Sequence, residues 1–400
     1  MKISILILLL TALLVVQGRA QSTGTLKEAK LQITLITPIG TNGTNSINTI
    51  NTVSFNILAG YHSAVRGFEF GGIANLNRDF VNGFQWAGIA NYTGADVTGF
   101  QWAGISNVNL GNANAFQFAG ISNVNIGSSQ IFQGAGIVNY TMGSSNLIQA
   151  AGIVNYAEEL NGAQFAGIVN FALRDVNGAQ LAGIVNAGKS VRGLQAAGIV
   201  NATKYVHGAQ IAGILNVAQK VEGLQLSVLN VADSVVSGVP IGVLSIVRNG
   251  FHEFEIGFSE GLNTTASLKL GVDRFYNIFA IGTQFLNDFR WGVGYGIGTH
   301  LVKNTDFKVN LEAISYQINE GTEWTDAYNG LQQLKLTFAG GQNEHVQFYA
   351  GPTFNLMVSD YVNKNGKIGS DFPPYSIWSK TNGNTNLRFW IGVNAGIRIH

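Results

Sequence analysis

The sequence contains no cysteine and only five prolines among its 400 residues. The absence of cysteine excludes disulfide bonds and thiolate metal sites as sources of stability. Charged residues are also scarce, at 11% of the chain, well below the roughly 25% of ordinary soluble domains. The formal net charge of +1 offers no basic surface to phosphate groups, which argues against a nucleic-acid partner.

The chain begins with the features of a secretory signal peptide. Lys2 precedes an almost unbroken apolar run over residues 3–16, and Gly18 and Ala20 place small side chains just before Gln21. This run is too short and wrongly flanked for a membrane-spanning helix, so it predicts export with cleavage after Ala20. No later stretch approaches the 18 or more consecutive apolar residues of a spanning helix, which leaves strands as the natural membrane-crossing elements.

One sequence unit, V-x-G-x-Q-x-A-G-I-x-N, recurs from about residue 65 to residue 230. Its copies follow one another every 15 or 16 residues, as shown by a glutamine at positions 85, 101, 117, 133, 149, 164, 180, 195, 210 and 225. Glu69 takes this place in the first clear copy. Within each unit the alternation has a period of two residues, which predicts β-strands rather than helices.

The two faces of the repeated strand differ in composition. The nearly invariant face is predicted to point inward, and in one copy it carries Val81, Gly83, Gln85, Ala87, Ile89 and Asn91. Its most informative members are the recurring amides Gln85, Asn91, Gln101, Asn107, Gln180, Asn186, Gln195 and Asn201. The opposite face varies from copy to copy but stays apolar, as with Phe84 and Trp86. Charged residues are concentrated at the joints between units.

Two architectures fit this repeat. In a large antiparallel transmembrane β-barrel, each unit is one strand of about 10 to 11 residues that crosses a bilayer with its variable face toward lipid. In a parallel β-solenoid, each unit is one coil, and the recurring glutamines and asparagines stack as interior ladders. The solenoid explains the recurring amides, but a solenoid in water would not expose Phe and Trp on its variable face. We therefore favour the barrel and keep the solenoid as the alternative.

From residue 251 onward the sequence changes to ordinary amphipathic strands. About eight are predicted, around residues 254–258, 266–272, 276–285, 289–297, 307–313, 331–339, 346–356 and 387–399. One face is apolar, and the other carries the charged residues Glu255, Lys269, Arg290, Lys308, Glu312, Lys335 and Arg398, as expected inside a membrane barrel. A soluble β-sandwich is the competing interpretation, but its strands average about 5 to 6 residues.

Four segments follow from these patterns: a signal peptide at 1–20, an N-terminal strand and loop at 21–50, the repeat region at 51–247 and outer-membrane barrel strands at 248–400. Two long polar stretches, residues 319–329 and 359–386, are predicted to be extracellular loops. Trp324, Tyr375 and Trp378 are the candidate contact residues there.

The G-x-Q-x-A-G-I-x-N units, together with residues 271–276 (G-V-D-R-F-Y) and 390–396 (W-I-G-V-N-A-G), resemble an uncharacterised surface-repeat family of Gram-negative bacteria. The resemblance covers nearly the whole exported chain. It implies an outer-membrane or surface location, and it supplies no catalytic residues and no established activity.

No motif indicates a catalytic, cofactor or metal site. The six histidines are far apart and lack metal-ligand spacing. Glu253 and Glu255 share a strand face and would serve an outer-membrane hydrolase, but salt bridges to interior cations are the simpler interpretation.

The sequence therefore predicts a non-catalytic outer-membrane β-barrel, porin-like or structural. Its predicted partners are outer-membrane lipid, the outer-membrane insertion machinery and an unidentified surface ligand. The alternative is a surface-displayed β-solenoid adhesin or interaction protein, anchored by a C-terminal barrel.

Overall fold

The computed structural model describes residues 25–286, 288–303, 307–343 and 345–400. The predicted signal peptide lies outside these ranges. Strands account for 73% and helix for 2%, which confirms the all-β class. A short 3-10 helix covers Gly43–Asn48. The chain divides into two compact units, one ending at Gly167 and the other covering Ile168–His400.

The repeat region folds as a parallel β-solenoid of about 12 turns within the described residues. The strands of the first unit are β1 (Lys27–Ile36), β2 (Ile39–Gly40), β3 (Thr49–His62), β4 (Ala64–Gly71), β5 (Ala74–Asn77), β6 (Val81–Ala87), β7 (Ala90–Thr93), β8 (Val97–Ala103), β9 (Ser106–Asn109), β10 (Ala113–Ala119), β11 (Ser122–Asn125), β12 (Phe132–Ala135), β13 (Val138–Ala151) and β14 (Val154–Ala166). The solenoid strands of the second unit are β15 (Val169–Ala172), β16 (Asp175–Ala182), β17 (Val185–Ala187), β18 (Ser190–Ala197), β19 (Val200–Ala202), β20 (Tyr205–Val206), β21 (Ala209–Ala212), β22 (Leu215–Leu226), β23 (Leu229–Ile241) and β24 (Leu244–Val247).

Equivalent residues of successive coils stack directly on one another. Strands β6 and β8 pair in parallel, with Gln85 beside Gln101. Strands β7 and β9 do the same, with Asn91 beside Asn107. The constant spacing of the repeat produces this register, because one full coil brings the chain back to the same position one strand further along.

This parallel pairing means that the repeat does not form the antiparallel wall of a large barrel, and the solenoid alternative is the one observed. The predicted single strand of about 10 to 11 residues is instead two shorter strands, β6 and β7, joined at a corner. Gly88 and Ile89 form that corner. Ile89, predicted to point inward, is 43% exposed, because the turn breaks the alternation between the two strands.

Within the described part of the C-terminal region, eight antiparallel strands form a closed barrel, which confirms the eight strands predicted there. They are β25 (Phe251–Ser259), β26 (Thr264–Val272), β27 (Phe275–Gln284), β28 (Arg290–Lys303), β29 (Phe307–Glu320), β30 (Asn329–Asn343), β31 (Val346–Ser359) and β33 (Thr385–Ile399). The barrel closes where β25 pairs with β33, with Phe254 opposite Ile399. A short strand, β32 (Trp378–Asn382), forms a hairpin with the first half of β33.

The two ends of the barrel differ. We call one end the short-turn end. It contains the beginning of β25, the tight connection from Val272 to Phe275 and the C-terminus. At the other, the long-loop end, lie the connections over residues 321–328 and 360–384. The solenoid joins the barrel at the short-turn end, through residues 248–250. No helix among the described residues has the length and apolar character needed to span a membrane.

Candidate functional site: the solenoid ladders and the barrel

Glutamine side chains form a buried ladder inside the solenoid of each unit. The Nε2 atom of Gln101 donates to Oε1 of Gln85 at 2.7 Å, and Gln117 donates to Gln101 at 2.8 Å. In the second unit Gln195 donates to Gln180 at 2.7 Å. Each amide therefore donates to the coil that precedes it. The ladder satisfies side chains whose burial without partners would cost about 1–3 kcal/mol per group.

An asparagine ladder runs beside it with the opposite direction of donation. The Nδ2 atom of Asn91 donates to Oδ1 of Asn107 in the following coil at 2.9 Å. The same nitrogen donates to the backbone carbonyl of Trp102 at 2.8 Å. This second hydrogen bond fixes the orientation of the amide, with its nitrogen toward the following coil. Because the glutamines donate backward and the asparagines forward along the chain, the amide dipoles of the two ladders oppose each other.

The structure places all eight amides of the predicted inner face in these ladders. Each has a fully buried side chain, at 0% exposure: Gln85, Asn91, Gln101, Asn107, Gln180, Asn186, Gln195 and Asn201. Their hydrogen bonds go to equivalent residues in neighbouring coils, to backbone carbonyls and, for Gln101, to the buried amide of Asn109. Their role is therefore to hold coils together, and they are not available to a ligand.

Glu69 ends the glutamine ladder in the first unit. Its Oε2 accepts hydrogen bonds from Gln85 at 2.9 Å and from Asn77 at 2.7 Å. Its Oε1 accepts from Asn56 at 3.1 Å and lies 2.9 Å from Nε2 of His62. The neighbouring amides Asn56, Asn77 and Gln85 all present N–H donors, so a carboxylate, which only accepts, fits this position better than the glutamine of later copies.

The same region brings together Ser46, His62 and Glu69, although no pattern in the sequence links them. The Oγ atom of Ser46 lies 3.1 Å from Nδ1 of His62, so the order of groups matches that of a hydrolytic relay. However, Ser46 donates its proton to the carbonyl of Tyr61 at 2.8 Å, and all three side chains are at most 1% exposed. The cluster has no access for a substrate and instead closes the polar interior of the first coils.

The interior of the barrel contains a buried cluster of charges near the short-turn end. The Nζ atom of Lys269 lies 3.0 Å from Glu253, 2.5 Å from Glu255 and 2.7 Å from Glu312. The guanidinium of Arg398 lies 2.8 Å from Glu255 and 3.5 Å from Glu312. Lys335 adds a third cation at 3.7 Å from Glu255. Three carboxylates thus face three cations, and the cluster is neutral.

The predicted interior residues do not all join this cluster. Those that do are Glu255, Lys269, Glu312, Lys335 and Arg398, and Glu253 belongs with them. Arg290 is interior but lies at the opposite end of the barrel, where it is paired with Glu320. Lys308 is only half-buried, with its Nζ 3.1 Å from His400 at the short-turn end. The pairing of Glu253 and Glu255 with cations agrees with the simpler interpretation of these two carboxylates.

The half of the barrel nearer the long loops is filled by apolar side chains. Ile318, Leu331, Met357 and Trp390 form a buried core there. Phe372, from the predicted extracellular loop at 359–386, folds back into this core and is 0% exposed. Its ring lies 6.4 Å from that of Trp390. Part of this loop therefore plugs the barrel, a contact across the fold that the polar sequence of the loop did not predict.

A small polar cavity of about 210 Å³ lies at the long-loop end, lined by residues that include Asp288, Arg290, Glu320, Tyr361, Asn363 and Asp371. Lys364 donates to Asp288 at 3.0 Å, and this hydrogen bond together with the lysine charge lowers the pKa of the Asp288 carboxyl. Among the described residues, no group of three His, Asp or Glu side chains is arranged to hold a metal ion.

The outer face of the barrel is apolar and exposed. Large side chains that are 36–64% exposed point outward from neighbouring strands, among them Phe254, Ile256, Phe258, Leu268, Phe279, Ile281, Val293, Ile297, Phe354, Ile391, Val393 and Ile397. Together with the buried charges inside, this arrangement reverses the polarity of a water-soluble barrel. A continuous apolar wall of this kind is an interaction surface.

The three predicted loop contacts lie at the long-loop end. The Trp324 ring contacts Trp291 edge-on, with centroids 5.8 Å apart. The hydroxyl of Tyr375 donates to the carbonyl of Ile391 on β33. Trp378 begins β32. All three are about half exposed, and they lie beside the apolar wall.

Comparison with protein-family models, with curated proteins and with solved structures finds no match to this chain. The resemblance to a surface-repeat family therefore stays a prediction.

Proposed function

We propose that this protein is a non-catalytic outer-membrane protein of a Gram-negative cell envelope, in which the eight-stranded barrel anchors the β-solenoid. The observation that carries the proposal is the reversed polarity of the barrel. Its interior holds the neutral charge cluster around Lys269 and Arg398, and its exterior presents apolar side chains. Outer-membrane barrels have this arrangement, because lipid surrounds the outer face and the interior is shielded from it.

The filled interior favours an anchor over a porin-like passage. An eight-stranded barrel is just wide enough for side chains to fill it. Here the charge cluster fills the half near the short turns, and the core around Trp390 and Phe372 fills the other half. We therefore assign the barrel a structural role. Its expected partners are outer-membrane lipid and the insertion machinery that places such barrels.

The connection between solenoid and barrel bears on the alternative of a surface-displayed adhesin. In bacterial outer-membrane barrels the short turns face the periplasm and the long loops face outward. The solenoid joins at the short-turn end, and the filled interior leaves no room for the chain to pass through the barrel. These features favour a periplasmic position of the solenoid over surface display.

A pair of lysine substitutions tests the membrane proposal. Ile281 points outward from β27 and is 61% exposed, and Leu286 lies in a loop and is 68% exposed. A lysine on a lipid-facing wall costs about 2–4 kcal/mol near the bilayer centre and little near its surface. We expect Ile281→Lys to lower the fraction of chain that folds into lipid vesicles, and Leu286→Lys to leave it unchanged. Folding is measured by heat-modifiable migration on gels, since a folded barrel and its boiled form migrate differently.

If the proposal is wrong and the barrel is a water-soluble domain, both lysines would be tolerated equally. The chain would also stay in solution without detergent. Either result would contradict the proposed location of the barrel in a membrane.

A further inference from the structure

The coils of the solenoid bury polar side chains and expose large apolar ones, as the barrel also does. In the coil that contains Gln85, the buried side chains include amides, whereas Trp86 and Ile89 on the outside are 39% and 43% exposed. The corner position is occupied in every later coil by an isoleucine or valine that is 37–55% exposed: Ile105, Ile121, Ile137, Ile153, Ile168, Ile184, Ile199, Ile214, Val228 and Val243. We call this line of side chains the corner edge.

The opposite edge of each coil, where one copy of the repeat joins the next, carries most of the charged residues of the solenoid, with exposed apolar side chains beside them at Leu110, Ile126, Met142 and Leu173. We call it the joint edge, and its charged residues include Arg78, Asp79, Asp96, Glu158, Glu159, Arg174, Asp175, Lys189, Lys204, Lys220, Asp233 and Arg248. The outward positions of β6 change in polarity between the two edges, from Asn82 near the joint through Phe84 to Trp86 near the corner. The coil is therefore amphipathic from edge to edge.

The width of the apolar part matches one leaflet of a bilayer. Ile89 follows Phe84 by five positions, so the apolar part spans at most about 16 Å of chain. The hydrocarbon core of a bilayer is roughly 30 Å thick, so one leaflet contributes roughly 15 Å.

The last coil is seated on the outer wall of the barrel with a definite orientation. The backbone carbonyl of Gly242, at its corner, accepts a hydrogen bond of 2.8 Å from Asn277. The neighbouring carbonyl of Val243 accepts one of 3.1 Å from Tyr295. Tyr295 pairs with Phe279, four residues beyond the start of β27. The corner thus lies part of the way up the barrel wall from the short-turn end.

The joint edge of the same coil lies lower on the barrel. The chain leaves β24 at Val247, passes through residues 248–250 and enters β25 at Phe251, at the short-turn end itself. In this unit the coil therefore points its corner edge toward the level of the apolar wall and its charged joint edge toward the barrel's end.

From these observations we propose that, in the second unit, the corner edge of the solenoid is immersed in the acyl chains of the leaflet at the short-turn end of the barrel, with the joint edge at the leaflet surface. This inference rests on the proposed function, because it needs the barrel to be in a membrane. Lipid is chosen over a second copy of the chain because the corner edge is continuous with the apolar wall that the barrel presents to lipid. The polarity gradient across the coil also follows the depth gradient of a leaflet.

The absence of cysteine makes a direct test possible, since a single introduced cysteine labels one position of the full chain. Three variants are compared: Ile199→Cys on the corner edge, Lys204→Cys on the joint edge of the same coil, and Ile281→Cys on the barrel wall. Each carries a nitroxide label and is reconstituted in vesicles of phosphatidylethanolamine and phosphatidylglycerol. Electron paramagnetic resonance then measures how often each nitroxide label collides with oxygen, which enters lipid, and with a nickel chelate, which stays in water.

We expect the labels at positions 199 and 281 to collide several-fold more often with oxygen than with the nickel chelate. The label at position 204 should collide more often with the chelate. Heat-modifiable migration verifies folding, and Ile214→Cys is a second corner position if the label at 199 disturbs the coil. A corner label that favours nickel, beside a wall label that favours oxygen, would overturn this inference but leave the proposed function standing. A corner label shielded from both reagents would indicate a protein partner and would also overturn it. A wall label that favours nickel would contradict the proposed function itself.

Discussion

At the scale of single residues, the solenoid depends on the hydrogen-bonding capacity of the primary amide. A carboxamide offers two N–H groups and an acceptor oxygen. Asn91 uses one N–H on the Asn107 side chain and also reaches the carbonyl of Trp102, and its oxygen accepts from Asn75. A buried amide is tolerated here because all of its groups have partners, as buried polar groups require.

Replacing one member of the ladder tests this account. Asn107→Ala removes the acceptor of Asn91 and the donor to Asn123 and to the carbonyl of Phe118. Since several buried groups lose their partners, we expect the free energy of unfolding to fall by about 3 kcal/mol. The measurement is denaturant unfolding of the detergent-solubilised chain, followed by circular dichroism.

The matched control is Asn82→Ala, an asparagine on the exposed side of its coil. Its effect should stay within about 0.5 kcal/mol, as for ordinary surface substitutions. Equal losses for the two variants would argue that the ladder adds nothing to stability.

At the scale of elements, the corner glycines determine how closely successive coils approach. A Cβ atom on Gly104 would lie 2.0 Å from the backbone oxygen of Gly88 in the preceding coil. That neighbour is backbone held in parallel pairing, so it has little freedom to move away. The glycine of the repeated A-G-I motif is therefore a packing requirement between coils.

Gly104→Ala should accordingly destabilise the solenoid by about 1–3 kcal/mol through overpacking. Hydrogen exchange is the suitable readout, because it separates local opening of neighbouring coils from unfolding of the barrel. Thr98→Ala, on the exposed outer side of the same coil, is the control and should leave exchange rates unchanged. If the backbone amides of Gly104→Ala were as protected from exchange as those of the wild type, the coils could move apart without loss of stability.

At the scale of the whole molecule, the barrel interior is stable only if its buried charges balance. Lys269 contacts all three carboxylates of the cluster. Removing one partner from a buried ion pair leaves an uncompensated charge, which costs about 3–5 kcal/mol. Lys269→Met should therefore greatly lower the temperature at which the folded protein unfolds. This temperature is measured by heating samples and following the shift from the folded to the unfolded band on gels.

Lys303→Met serves as the control for this substitution. Lys303 pairs with Asp273 at 2.6 Å, but both side chains are about half exposed. Exposed pairs contribute about 0–1 kcal/mol, so the conversion temperature should hardly change. A similar small change in Lys269→Met would mean that the cluster does not hold the barrel together.

Local patterns in the sequence were sufficient to predict several features of the fold. Alternation with a period of two predicted the all-β class and the eight C-terminal strands, and the charged face of those strands included five of the six residues of the buried charge cluster. The constant repeat length predicted that equivalent residues would recur at equivalent places. These features depend on neighbouring residues along one strand, so they can be read without knowledge of the partner strand.

Only the tertiary structure decided the direction of strand pairing in the repeat. Parallel and antiparallel neighbours put the same alternate side chains on the same face, so alternation cannot distinguish a solenoid from a barrel wall. The distinction depends on how the chain returns at the corner of Gly88 and Ile89. The plug formed by Phe372 and the cluster of Ser46 with His62 also required the fold, because each is a contact between segments that lie apart in the sequence.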